Sequence, residues 1–370
     1  MLILADDLTG AADTGVAFAQ RGLRTLLRLK RDVDIGDPTV IVISSGSRNG
    51  SASEAARLVR SCLGQAHPPI YKKIDSVLRG HVATELLATM AALGVERALV
   101  APAFPAQARI TRGGMQYVNG QVIARSLLEE LHHQTQLPIR IASLHEVMVD
   151  PMQLHNWLTQ PGIVIADAET DQHLDSIATL AQQTNVPVWC GSAGLAHALA
   201  RQMALPGQIS HKPITQPVLI VSGSYHAQTE QQLDYLHAHK MTMVALHHAA
   251  TDPIQVCVQA LSARRSVALT RPATTVDLQH SQLIADELGN TTRQILAQLS
   301  FLPRFILTGG DTALAVCHAL EATAIELLHE IEPGIPVGQI VGGIADGATL
   351  ITKSGGFGDA QTLWRALSGR

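Results

Sequence analysis

The chain reads as an α/β protein built of two three-layer domains with mainly parallel sheets, and three observations predict this. Short apolar runs alternate with amphipathic stretches from end to end. Strands without a polar face need helices on both sides of their sheet. That rhythm breaks once, at Leu205-Pro206-Gly207-Gln208-Ile209-Ser210-His211-Lys212-Pro213, a stretch of linker composition. At 370 residues the chain is also long enough for two cores. The expected domains are 1–208 and 214–370.

In chain order, the strands of the first domain are Leu2–Ala5, Val40–Ile43, Ile70–Ile74, Ala98–Ala101, Ile163–Ala166 and Val186–Cys190. Helical spacing of apolar residues falls between them at Ala11–Gly22, Ser51–Leu63, Val82–Leu93, His173–Thr184 and Ala193–Met203. Gly22 and Gly64 stand where helix stops belong. After the linker, strands are expected at Pro217–Ser224, Met241–Leu246, Ser266–Thr270 and Arg304–Leu307. Helices are expected at Gln228–His239, Ile254–Ala263, Ser281–Leu299 and Ala313–Ala322.

Composition excludes several classes. Apolar residues make up 46% and charged residues 16% of the chain, which fits a packed globule rather than a disordered segment. A formal charge of −4 and an aromatic content of 3% argue against a nucleic-acid partner, which would need a basic surface and stacking platforms. Cys62, Cys190, Cys257 and Cys317 are far apart and form no CxxC pair, as expected for reduced, mostly buried thiols. Asp6 and Asp7 interrupt the first apolar run, so no secretory signal is expected. No apolar stretch is long enough to span a bilayer. A cytoplasmic, soluble protein is expected, with a homodimer as the default assembly. The adjacent pairs His132-His133 and His247-His248 lack metal-ligand spacing, because neighbouring side chains point apart.

Parallel sheets gather ligands at the carboxyl ends of their strands. In the first domain those ends carry Asp6-Asp7, with Asp13 further into the helix, then Ser47-Arg48, Lys73-Ile74-Asp75-Ser76 with Arg79, and Arg109 and Arg112 beyond the fourth strand. Guanidinium groups suit a carboxylate ligand and carboxylates suit hydroxyls, so the set describes a small polyhydroxy acid. The expected contacts are Asp6, Asp7, Arg48, Lys73, Ile74, Asp75, Ser76 and Arg79. Arg48 and Arg79 would hold the ligand carboxylate, and Asp7 or Asp75 would orient, and could deprotonate, a hydroxyl.

The second domain offers glycine and hydroxyl turns in place of charges: Ser222-Gly223-Ser224, Gly309-Gly310-Asp311-Thr312 and Lys353-Ser354-Gly355-Gly356. Glycine lets backbone amides approach an anion, and a helix start adds partial positive charge. The expected nucleotide contacts are Ser224, Gly309, Gly310, Asp311, Thr312, Lys353, Gly355 and Gly356. Neither a GxxxxGK[ST] nor a GxGxxG fingerprint is present. An acid in one domain and phosphates in the other point to phosphoryl transfer across an interdomain cleft, usually with magnesium bridging the phosphates.

At these residues the chain resembles the four-carbon acid sugar kinase family, which includes the YgbK-like proteins. The resemblance rests on Ala5–Asp13, Ser47-Arg48, Lys73–Gly80, Pro102-Ala103-Phe104-Pro105, Asp167–Asp171, Gly191–Leu195, Ser222–Ser224, Thr308–Thr312, Pro333–Pro336 and Lys353–Gly358, in that order. It implies an N-terminal sugar-acid domain, a C-terminal ATP domain, and magnesium-assisted transfer of the γ-phosphate to a terminal hydroxyl of a threonate- or erythronate-like acid. By position, Asp7, Arg48 and Lys73 to Ser76 look like acid contacts, and Ser224, Gly309 to Thr312 and Gly355 like nucleotide contacts. The chain departs from the family pattern at Asp311, where glutamate is frequent, at Ala108, where glycine is common, and at Tyr225-His226 in a variable stretch; it is also shorter than many relatives. The rival readings are a nucleotide-dependent hydroxy-acid dehydrogenase, disfavoured by the missing GxGxxG, and a non-catalytic sugar-acid-binding protein.

Overall fold

A computed structural model describes residues 1–30, 36–203, 216–247, 252–272 and 278–368. The chain divides into two compact units, Met1–Thr25 with Pro38–Gly207, and Leu26–Asp37 with Gln208–Arg370. The joint expected near residue 210 lies outside the described residues, as does His248. The early segment Leu26–Asp37 groups with the second unit, a crossover that a reading in two consecutive blocks does not contain.

The first unit opens with β1 (Leu2–Ala5) and α1 (Leu8–Ala19); β2 (Thr25–Arg28) then leads into the second unit. On return come β3 (Val40–Ser44), α2 (Ala52–Leu63), β4 (Ile70–Lys73), α3 (Val82–Leu93) and β5 (Arg97–Ala101). A meander of β6 (Arg109–Arg112), β7 (Met115–Val118) and β8 (Gln121–Val122) follows, then α4 (Leu127–Gln134), β9 (Ile139–Ala142), α5 (Leu144–Met148), α6 (Pro151–Thr159) and β10 (Gly162–Ala166). The unit ends with α7 (Asp171–Gln183), β11 (Val188–Gly191) and α8 (Ala193–Met203).

Its sheet has the order β3-β1-β4-β11-β5-β10-β9, parallel throughout. Apolar side chains on both faces force this arrangement. Ala98, Val100, Ile163, Ile165, Val188 and Cys190 meet α3 and α4 through Leu86, Met90, Leu127 and Leu131. On the other side α1 packs on α8 and α8 on α7. The helix α1 is buried on every face, and its small residues Thr9, Gly10, Ala11 and Ala12 allow that depth. Asp7 caps it by accepting from the Gly10 amide at 2.8 Å. Gly64 ends α2 at φ 53°, as its position predicts, whereas α1 stops at Ala19, ahead of Gly22.

The β6–β8 meander is antiparallel and separate from that sheet. Asp167, just past β10, fastens its first turn by accepting from the amides of Gly113 (2.6 Å) and Gly114 (2.9 Å).

The second unit contains β12 (Val218–Ser222), α9 (Ala227–Ala238), β13 (Thr242–Ala245), α10 (Pro253–Ser262), β14 (Val267–Thr270) and α11 (Leu278–Leu296). It continues through β15 (Arg304–Thr308), α12 (Gly310–Ala319), β16 (Ala324–Glu330), β17 (Pro336–Val341), β18 (Thr349–Lys353) and α13 (Thr362–Ser368). The order is β13-β14-β12-β15-β18-β17-β16, with β2 beside β16. The first five strands run parallel, and β17 and β16 are antiparallel additions. Leu26 packs on Ala324 and Val341, which accounts for the place of β2. No helix among the described residues is long and apolar enough to cross a membrane.

Candidate active site

Parallel register sets the first cluster. Ala5 pairs with Ser44, Leu4 with Lys72, and Lys73 with Gly191, so the residues that follow β1, β3 and β4 emerge on one edge. Each of the three nitrogens of Arg48 makes a hydrogen bond there. Its Nε donates to Asp6 Oδ2 at 2.7 Å and a terminal nitrogen to Asp6 Oδ1 at 2.8 Å, a two-point fork, while the other terminal nitrogen donates to Asp7. Asp75 Oδ2 lies 3.7 Å from the same guanidinium. Asp75 also accepts from the amides of Val77 (3.0 Å) and Arg79 (3.2 Å) and from the Arg79 side chain at 3.1 and 2.6 Å.

These contacts set the charge states. Burial acts to raise the carboxyls of both Asp6 and Asp75. For Asp6 it is outweighed by the Arg48 charge and hydrogen bonds and by Lys72 and Lys73; for Asp75 by the Arg79 hydrogen bond and the charges of Arg48, Arg79 and Lys73. Both carboxyls are held below their ordinary value and stay ionised.

A buried relay stands behind this edge. Ser47 Oγ donates to Glu85 at 2.7 Å, and the single proton of Ser45 Oγ is offered to Ser47 Oγ at 2.7 Å and the Ala5 carbonyl at 2.9 Å. Glu85 pairs with Lys72 at 2.7 Å, and Lys72 Nζ donates to the Lys73 carbonyl at 2.8 Å. Lys72 and Glu85 were not among the expected site residues. Their signal was a lysine inside an otherwise apolar strand and a glutamate on the apolar face of α3, positions that require a partner.

The other expected residues divide. Lys73 is 4% exposed and its Nζ lies against Gly10, where a methyl group would come within 2.8 Å of it and 2.5 Å of Asp7 Oδ1. Ser76 accepts from Arg109, and its carbonyl accepts from Gln116 Nε2 at 2.7 Å. Ile74 belongs to the core with Leu78 and Val82, and its amide is spent on the Gly191 carbonyl, so only its own carbonyl is left to face a ligand. Arg79 is half exposed and turned onto Asp75. Asp13 is buried beside this cluster, with no hydrogen-bond partner for its Oδ1 among the described residues.

In the second unit, register aligns Ser222 with Thr308 and Thr270, and Thr308 with Lys353. The loops that follow pack together so tightly that side chains are excluded. A Cβ on Gly223 would meet Thr312 Oγ1 at 2.3 Å, one on Gly355 would meet Ser224 Oγ at 2.4 Å, and one on Gly356 would meet His226 Nε2 at 2.9 Å. Gly309 adopts φ 99° at the start of α12 and supplies no side-chain cap, and a helix start of this kind favours an anion. Asp311 is exposed in that first turn and Thr312 is buried.

Lys353 holds the loop from within. Its Nζ donates to the carbonyls of Ser354 (2.8 Å), Gly355 (3.2 Å) and Phe357 (3.3 Å) and to Thr229 Oγ1 (3.3 Å), and it is fully buried. Burial pushes its ammonium down to about 7. The geometry therefore makes it a support of the loop backbone, not an exposed charge beside it. Thr229 and Gln232, which the sequence did not single out, bind the same loop through the carbonyls of Gly355 (2.8 Å), Phe357 (3.0 Å) and Asp359 (2.8 Å). Arg271 stacks 3.9 Å from the Tyr225 ring centroid and donates to the Ser224 carbonyl at 3.1 Å.

Comparisons with known proteins agree with this division. Residues 1–199 match the family described as a sugar-binding N-terminal domain, and residues 219–363 a nucleotide-binding C-terminal domain. The chain is 30% identical to a D-threonate kinase of Salmonella typhimurium, covering 99% of this chain and 97% of that protein. It is 33% identical to a D-threonate kinase of Cupriavidus necator (99% and 96% covered) and 31% identical to a D-erythronate kinase of Heliobacterium modesticaldum (98% and 94%). Crystal structures of a Salmonella typhimurium protein (TM-score 0.77, 21% identity, 99% and 98% covered) and a Haemophilus influenzae protein (0.73, 20%, 99% and 99%) share the fold. A match over both domains, with relatives aligned almost end to end, places the chain in the four-carbon acid sugar kinase family.

Proposed function

We propose that the protein transfers the γ-phosphate of ATP to the terminal hydroxyl of a four-carbon sugar acid of the threonate, erythronate or 3-oxo-tetronate class. The observation that carries this reading is the Lys73 ammonium, which is buried at the strand edge among Asp6, Asp7 and Asp75. Among the described residues no carboxylate closes to an ion pair with it. A buried cation in that state suits an acidic ligand, and the neighbouring carboxylates suit its hydroxyls. Asp7, Arg48, Lys73, Asp75 and Ser76 are the proposed acid contacts, joined by the Ile74 carbonyl. Asp75 already accepts four hydrogen bonds, and Asp7 accepts from Gly10, Thr9 and Arg48, which supports orienting roles for both.

Ser224, the Gly309–Thr312 turn and Gly355-Gly356 are the proposed ATP contacts. The triphosphate suits the start of α12, which Gly309 opens at φ 99° without a side-chain cap, beside loops that only glycine lets pack so closely. Among the described residues no group of three His, Cys, Asp or Glu side chains could hold a metal. Magnesium would enter on the phosphates and neutralise their charge.

ADP release measured with D- and L-threonate, D- and L-erythronate and their 3-oxo forms tests the reading. Turnover with at least one acid is expected. No ADP from any of them, together with tight NAD binding, would replace it with the dehydrogenase reading. Gly10→Ala probes the Lys73 contact: the added methyl displaces the ammonium or the Asp7 cap. The KM for the acid is expected to rise about 10- to 100-fold, the range for losing one hydrogen bond to a charged group, with the KM for ATP within about twofold. An unchanged acid KM would remove Lys73 from the binding site.

A further inference from the structure

We infer that Asp13 is the general base of the reaction, the group that takes the proton from the acceptor hydroxyl; this rests on the kinase reading above. The two carboxylates that the sequence offered for that task are occupied. Asp75 is saturated by Arg79 and two amides, and Asp7 caps α1 and accepts from Arg48. The hydrogen bonds from Arg79 and the charges around it hold the Asp75 carboxyl below its ordinary value, which makes it a weak proton acceptor, and the Asp7 oxygens are committed to the helix cap and Arg48.

Asp13 differs in each respect. It lies on α1, a helix buried on all faces, where an ionisable side chain is costly unless paired or used. It stands three positions after Gly10, so it sits on the same helix face as the residue that touches Lys73. It is 4% exposed, and its Oδ1 has no hydrogen-bond partner among the described residues. A buried oxygen left without a donor, one helical turn from the proposed acid contacts, is placed to receive a substrate hydroxyl.

The surrounding charges suit that role. Lys73 and Tyr71 face it from β4, Arg109 from β6, and Asp7 from its own helix. Tyr71 donates to the Ser192 carbonyl, and its burial keeps it protonated. The adjoining strands β1 and β3 contain no ionisable side chain. From α8, the partly buried His197 is held down to about 4, by burial and then by Arg201 and Arg21. Burial raises the Asp13 carboxyl to about 6, with Asp7 adding to the rise and Lys73 and Arg109 opposing it. The group is therefore mostly ionised at neutral pH yet more basic than an ordinary aspartate.

The step balances as follows. The acceptor O–H bond breaks, its proton passes to Asp13, and the oxygen's electron pair forms the new bond to the γ-phosphorus of ATP. The bond from that phosphorus to the β,γ-bridging oxygen breaks, and ADP leaves with the electron pair. Asp13 then returns its proton to solvent.

Asp13→Asn and Asp13→Glu, compared with wild type across pH 5 to 9 with the best acid, test this. Asn is expected to lower kcat by about 10²- to 10⁴-fold with the KM for ATP within about threefold. The acid limb of the wild-type kcat/KM profile, centred near 6 in the free protein, is expected to vanish with it. Glu is expected to recover part of the rate. A second measurement guards against misfolding: because the folded protein favours the neutral form of Asp13, Asn should raise the Tm at pH 7.5, with the gain shrinking towards pH 5. An Asn variant that keeps a third or more of kcat together with the acid limb would overturn the assignment while leaving the kinase reading intact. A wild-type chain that phosphorylates none of the acids would overturn both.

Discussion

Arg48→Met is expected to cost about 3–5 kcal/mol of stability and to abolish turnover of the acid. Both effects come from one guanidinium. Arg48 is 15% exposed and forks onto Asp6 at 2.7 and 2.8 Å, while Asp6 itself is only 4% exposed. Methionine keeps the volume of the stem but takes the guanidinium from Asp6 and Asp7 and leaves Asp75 to the Arg79 side chain, two backbone amides and the Lys73 charge. An uncompensated buried carboxylate is far more costly than a surface one.

The pH dependence identifies the cause. In the wild type the Asp6 and Asp75 carboxyls sit below their unfolded values, so their contribution is present above about pH 4 and lost as the pH falls further. Without Arg48, burial is left opposed only by the lysines, and the Asp6 carboxyl moves upward. The variant should therefore regain stability relative to wild type as the pH is lowered from 7 to 5. Urea unfolding at the two pH values measures this. A loss below about 1 kcal/mol, equal at both, would show that the Arg48 cluster is solvent-screened and ordinary.

Much of the fold was legible because its strands are apolar on both faces. Val82–Leu93 and Ala193–Met203 fall on the expected residues, and every expected strand is present within a few residues. The missed elements were hidden for two physical reasons. In β16, Ala324-Ile325-Glu326-Leu327-Leu328-His329-Glu330, the residues are mostly helix formers, and pairing with β17 overrides their preference. The β6–β8 meander is short and half polar, and it is fixed by Asp167 rather than by a hydrophobic face.

The site divided in a similar way. Strand ends in register brought Asp6, Asp7, Arg48 and Lys73 to one edge, which topology alone predicts. Side-chain direction was not legible. Lys353 beside a glycine loop reads as a phosphate contact, yet carbonyls of that same loop draw its ammonium inward. Asp13 reads as one more polar residue of a helix start until its burial leaves Oδ1 without a hydrogen-bond donor among the described residues.

The relay behind the edge gives the second large effect. Glu85→Leu is expected to destabilise the protein by about 3–5 kcal/mol, because it strands the Lys72 ammonium, which is 0% exposed, with carbonyls as hydrogen-bond acceptors and only the Asp6 charge, shared with Arg48, nearby. Burial acts to lower the Lys72 ammonium, but Glu85 and Asp6 outweigh it and hold the group above its ordinary value. Removing Glu85 reverses that balance. The folded state then favours neutral lysine, the unfolded chain binds more protons, and the variant should gain stability relative to wild type as the pH rises from 7 to 9. Adding Lys72→Met removes the stranded charge, so the double variant should recover most of the loss, a coupling of about 2 kcal/mol or more in a double-mutant cycle. Its kinetics then separate packing from positioning. Ser47 would still lack its acceptor and the Lys73 carbonyl its donor, so a double variant with wild-type stability is expected to keep a KM for the acid raised about 10-fold. If stability and KM return together, the pair serves the core alone, and Arg48 and Lys73 hold their places without it.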